Sequence, residues 1–121
     1  MSEALPPAID WARLDELRRM EAEGMPGLAA RLVRTYLENS ARLLRELQVA
    51  MDAGDADGVR RAAHSIKSTS ANIGANPLSQ LGRALEQAAQ RSDWQPDQAE
   101  VEQIVSEHGR AQAGLAERFP P

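Results

Sequence analysis

The chain contains no cysteine. Disulfides, thiolate metal centres and cysteine nucleophiles are thereby excluded, and the composition agrees with a reducing cytoplasm. Aromatic residues are scarce: two Trp, one Tyr and one Phe make up 3% of the chain. The interior must therefore be built from Leu, Ile, Val, Met and Ala. No apolar run approaches the ~18 residues a membrane span requires. The N-terminus lacks the charged and apolar regions of a signal peptide, so a cytoplasmic protein is expected. An excess of positive charge is also missing. With 14 Lys and Arg against 18 Asp and Glu, the formal charge is -4, which speaks against nucleic acid as a partner.

Apolar residues account for 42% of the chain, and Ala and Leu alternate with Glu, Gln and Arg. These are strong helix formers. Few segments alternate with period two or carry β-branched runs, so the composition specifies an all-α fold. The 121 residues correspond to one domain that can bury a modest core. Residues 1–9, which include Pro6-Pro7 and show no periodicity, read as a flexible tail. Residues 10–121 read as the folded domain.

Apolar periodicity divides that domain into five helices. Asp10 is a plausible N-cap for a short first helix from Trp11 to about Glu23. Its stripe is Trp11, Leu14, Leu17 and Met20. A second helix runs from about Pro26 to Ala53, with Leu28, Leu32, Tyr36, Leu43, Leu44, Leu47 and Met51 inward. Asp55 or Asp57 caps a third, which ends near Gly74. Asn76 caps a fourth with Pro77 at its first position, and Leu78, Leu81, Leu85 and Ala88 or Ala89 line its inner face. Pro96 opens the last, which reaches about Phe119 and turns Val101, Ile104, Val105, His108, Ala111, Leu115 and Phe119 inward. Short connections make neighbours antiparallel. The expected architecture is an antiparallel four-helix bundle with a short N-terminal capping helix, and a bundle complete in one chain favours a monomer.

His64 breaks this pattern. Val59, Ala62, Ala63, Ile66, Ser70 and Ile73 form the inward stripe of the third helix. A helix turns about 100° per residue, so His64 lies about 200° from Ile66 and points away from the core. His108, by contrast, falls on the core stripe and reads as a packed structural histidine. Around His64 the outer face is small and basic. Lys67 is three residues on and Arg60 four residues back, which places both beside the imidazole. Two cations there disfavour protonation of the ring and hold an anion attached to it. Ser68, Ala71 and Ala75 keep the surface low, and the Ser68 hydroxyl is a further hydrogen-bond donor. An imidazole so placed is a competent nucleophile.

Other chemistries fit poorly. A catalytic metal site needs about three protein ligands, whereas His64 and Glu86 supply two, and there is no HExxH run. No nucleotide-binding GxxxxGK[ST] or GxGxxG loop is present, nor a GxSxG elbow. Use of His64 as a general base in a small hydrolase lacks cleft-building loops. A phosphoryl group carried by this chain must come from another protein.

The run Ala63-His64-Ser65-Ile66-Lys67-Ser68, then Ala71-Asn72-Ile73-Gly74-Ala75, then Leu78, Leu81 and Leu85-Glu86 resembles the signature of histidine-containing phosphotransfer (HPt) domains. The resemblance extends to helix order and length over nearly the whole chain. It implies that His64 is the phosphoacceptor and Lys67 the lysine that supports the phosphoryl group. Gly74 is then the glycine that ends the histidine-bearing helix, and Glu86 orients the ring. Arg60, Arg61, Ala71, Gly74 and Ala75 are the candidate partner-binding residues. Ser68 stands where the family commonly has glycine. The partners implied are receiver domains of response regulators or of a hybrid histidine kinase. These would bring the Mg²⁺, with no cofactor on this chain and no kinase activity of its own. The competing expectation is a helical docking adaptor that is never phosphorylated.

Overall fold

The computed structural model describes residues 5–120, so positions 1–4 of the expected tail lie outside the described residues. Five helices follow in order: α1 (Ala12–Ala22), α2 (Leu28–Asp52), α3 (Ala56–Ile73), α4 (Asn76–Ala89) and α5 (Gln98–Arg118). Among the described residues there is no strand. α2 packs on α3, α3 on α4, α4 on α5 and α5 back on α2, which closes a four-helix bundle. α1 lies across α2 and α3. The all-α bundle with its short capping helix is the expected architecture.

The helix starts show how far local signals carry. Asp10 accepts the Ala12 N–H at 3.0 Å, but the cap position of α1 is Trp11 and its first helical residue is Ala12, one later than the pattern. Asp55, not Asp57, caps α3, accepting the Gly58 N–H at 3.0 Å. Three further starts differ from the sequence pattern. α2 begins at Leu28, not Pro26, because Gly27 adopts the left-handed region at φ 75°. Its first turn is served from another helix, Glu21 Oε1 accepting the Ala29 N–H at 2.8 Å. In α4 the cap position is Ala75, and Asn76 is already helical. α5 begins at Gln98 behind Asp97, whose side chain accepts the Ala99 N–H at 3.0 Å, so Pro96 precedes the helix.

The tail boundary also moves. Ile9 belongs to the core, and the Asp10 N–H donates to the Gly74 carbonyl at 2.8 Å. The folded unit therefore starts before Asp10. α2 buries Ala29, Val33, Tyr36, Ser40, Leu43, Leu47, Ala50 and Met51, so the expected Leu28, Leu32 and Leu44 sit on the flanks, half-buried. Packing against α1, α3 and α5 at once widens the buried sector. Val105 of α5 is 50% exposed and leaves the predicted stripe. His108 is buried as expected, its Nε2 2.8 Å from Ser40 Oγ.

Candidate functional site

α3 presents the site because its apolar stripe is fully satisfied inward. Val59, Ala62, Ala63, Ile66, Ser70 and Ile73 are all buried, which turns His64 outward with its side chain 57% exposed. The ring is held from α4. Its Nδ1 lies 3.0 Å from Glu86 Oε2. A carboxylate only accepts, so Nδ1 carries the proton of this bond. In the neutral ring the lone pair then belongs to Nε2, which makes no hydrogen bond among the described residues.

Glu86 serves two cations. Lys67 Nζ is 3.1 Å from the same Oε2 and 3.4 Å from Oε1. The carboxylate is only 15% exposed. Desolvation pushes its pKa up, but hydrogen bonds from Lys67 and His64 and their charges outweigh this, and the net shift is downward. Glu86 is therefore a firmly ionised acceptor between the ring and the ammonium.

The expected site residues separate into two groups. His64, Lys67 and Glu86 converge. Ser68 and Ala71 are exposed on the next turns of α3, so the face beyond the imidazole is low. The arginines do not turn to the ring. Arg60 hydrogen-bonds Asp57 Oδ1 at 2.7 Å and Arg61 bonds Asp57 Oδ2. Hydrogen bonding from Arg60, then the charge of Arg61, holds the Asp57 carboxyl below its usual range. Among the described residues, the cation that shares Glu86 with the imidazole is Lys67. Gly74 and Ala75 are buried and cannot line a partner surface. Gly74 instead makes the α3–α4 turn at φ 90°, where a Cβ would stand 2.1 Å from the Asp10 carbonyl oxygen.

Three features near the site escape the sequence pattern. Asp57 recruits both arginines. Ser79 Oγ donates to the Lys67 carbonyl at 2.8 Å. Gly82 packs directly on the α3 backbone between Ala63 and Lys67. The available signal was Gly82 itself, a residue without a side chain on the same face of α4 as Leu78 and Leu85. Beside His64's helix an open groove separates α2 from α3, lined by Arg42, Arg45, Glu46, Val49, Arg61 and Ser65 among others. Val49 is largely exposed there. Among the described residues, no group of three His, Asp or Glu side chains is placed to hold a metal ion, and no helix is long and apolar enough to cross a membrane.

The Hpt domain profile matches residues 31–114, which span most of α2, all of α3 and α4, and most of α5. The chain belongs to the Hpt domain family. Its role is accordingly that of a histidine phosphotransfer module in phosphorelays. The Hpt fold here is similar to the crystal structure of histidine-containing phosphotransfer protein B from Pseudomonas aeruginosa PAO1. The TM-score is 0.83 at 30% sequence identity, covering 95% of this chain and 96% of the other. No curated protein sequence matches the chain.

Proposed function

We propose that this Hpt domain is a phosphorelay intermediate. His64 takes a phosphoryl group from a phosphoaspartate of one receiver domain and surrenders it to the aspartate of another. The observation that carries this reading is the exposed imidazole held through Nδ1 by Glu86, which leaves Nε2 as the outward nucleophile.

The chemistry balances without a proton leaving the ring. The Nε2 lone pair attacks phosphorus in line. The P–N bond forms as the P–O bond to the aspartate breaks, and the aspartate departs as a carboxylate. The ring keeps its Nδ1 proton and becomes cationic, and the Glu86 carboxylate offsets that charge. Lys67 turns its ammonium to the phosphoryl oxygens, and the exposed Ser68 hydroxyl donates to the same group. This chain's part is positioning and electrostatics, as in phosphoryl transfer generally. The receiver, from a response regulator or a hybrid histidine kinase, supplies Mg²⁺. No cofactor and no kinase activity belong to this chain.

The receiver docks on the exposed parts of α2 and α3. Val49 offers apolar contact in the groove, and Arg42, Arg45 and Arg61 at its rim choose among receivers. The domain works in the cytoplasm as a monomer. The similar phosphotransfer protein supports this reading, as does the low surface at Ser68 and Ala71.

Incubation with a ³²P-labelled receiver domain tests it. The expected result is acid-labile, base-stable label on the wild-type chain and none on His64→Gln. Label retained by His64→Gln overturns the proposal. Binding of receivers without any label also overturns it and leaves a docking adaptor.

A further inference from the structure

Ser79, Gly82 and Glu86 lie three and four residues apart, on one face of α4. That face meets a single turn of α3. Gly82 sits against the Ala63 carbonyl and the Lys67 amide, the two ends of the helical hydrogen bond that spans His64. A Cβ at Gly82 would approach Ala63 O and Lys67 N to 3.0 Å and Lys67 Cα to 3.3 Å. One turn earlier, Ser79 Oγ donates to the Lys67 carbonyl at 2.8 Å. One turn later, the Glu86 carboxylate reaches His64 Nδ1 at 3.0 Å and Lys67 Nζ at 3.1 Å.

We infer that Ser79 and Gly82 are positioning residues for phosphoryl transfer, fixing the height and register of α4 on α3 so that one carboxylate spans both His64 and Lys67. The inference rests on the phosphotransfer reading above. Its physical basis is the short reach of a Glu side chain. The three atoms nearest a Cβ at Gly82 are backbone, which cannot rotate away as a side-chain tip does. An added methyl must therefore lift α4 by a few tenths of an ångström or slide it along α3. Either movement lengthens the Glu86 bonds, and hydrogen bonds weaken steeply with distance and angle. The ring then loses the partner that keeps its proton on Nδ1. Ser79 resists the sliding component by tethering α4 to the Lys67 carbonyl.

The test is a mutant cycle on the full chain. Gly82→Ala is expected to slow phosphoryl uptake from a receiver about tenfold, and Ser79→Ala about threefold, in line with the loss of groups that orient a reacting imidazole. In the Glu86→Ala background each should cost less than about twofold, because the carboxylate they position is gone. A second readout needs no phosphoryl transfer. Imidazole ¹⁵N NMR above the titration range should show His64 shifting from the Nδ1–H toward the Nε2–H tautomer in both single variants. Urea denaturation reports stability separately. Losses that persist undiminished in the Glu86→Ala background overturn the inference, as does an unchanged tautomer. If Gly82→Ala fails to fold, Ser79→Ala decides by the same two readouts. A tautomer shift in a chain that never takes up label would instead count against the phosphotransfer reading and leave the positioning geometry standing.

Discussion

At the scale of single residues, the site depends on one carboxylate with two partners. Glu86 accepts from both His64 and Lys67, so it sets the tautomer of the nucleophile and parks the ammonium nearby. Replacing Glu86 by Gln keeps an oxygen acceptor for Nδ1–H but removes the charge that offsets the phosphorylated ring. Single-turnover transfer from a phosphorylated receiver should slow by roughly tenfold, with receiver binding little changed. An unchanged transfer rate would show that the carboxylate charge plays no part. His64 and Lys67 were legible in the sequence because helical phase alone puts them outside and together. The Glu86 contact was readable only through family resemblance, since a bond between helices depends on their register. The mistaken placement of Arg60 beside the ring has a similar origin. Phase set its face correctly, but not the competition from Asp57 one turn back, which its guanidinium meets.

At the scale of elements, the α3–α4 connection does more than reverse the chain. Gly74 ends α3 in the left-handed region, and its carbonyl accepts the Asp10 N–H at 2.8 Å. The turn thus anchors the segment leading into α1. Gly74→Ala combines a disfavoured positive φ with a collision against the Asp10 carbonyl, and should destabilise the fold by on the order of 3 kcal/mol. Urea denaturation measures the loss, and hydrogen exchange should show α1 amides losing protection first. A loss below about 1 kcal/mol would mean that this segment re-seats freely. Helix identity and order were legible throughout, because each helix has its own apolar stripe. The starts of α1, α2, α4 and α5 were not. Pro26 and Asn76 are good local start signals, but the left-handed Gly27 and the tight turn at Gly74 moved the first helical residue.

At the scale of the whole molecule, the bundle buries a few polar groups that a reading of apolar stripes passes over. Tyr36 Oη lies 3.4 Å from Ser70 Oγ across α2 and α3, and burial pushes its phenol up despite the Ser70 hydroxyl beside it. His108 pairs with Ser40 across α2 and α5, and burial pushes its imidazole below the ordinary 6.5. The folded state therefore favours neutral His108. Its contribution to stability is complete above pH 6.5, the unperturbed value, and declines as the pH falls below it. The unfolded chain takes up the proton more readily there. Denaturation midpoints should fall between pH 7 and pH 5 more for the wild type than for His108→Gln. Equal slopes would show that His108 titrates alike in both states. Ser40→Ala, which strands the buried imidazole nitrogen, should cost about 1–3 kcal/mol at neutral pH. The core position of His108 was legible from its phase. Its partner was not, because Ser40 interrupts the leucine stripe of α2 and signals no contact by itself.

The most direct test of the account is which ring nitrogen of His64 carries the phosphoryl group. Phosphorylation by a receiver domain followed by ³¹P and ¹⁵N NMR of the intact chain resolves the two isomers. With Glu86 holding Nδ1, phosphorylation is expected at Nε2. Phosphorylation at Nδ1 would contradict it, because the nitrogen bonded to Glu86 would then be the nucleophile.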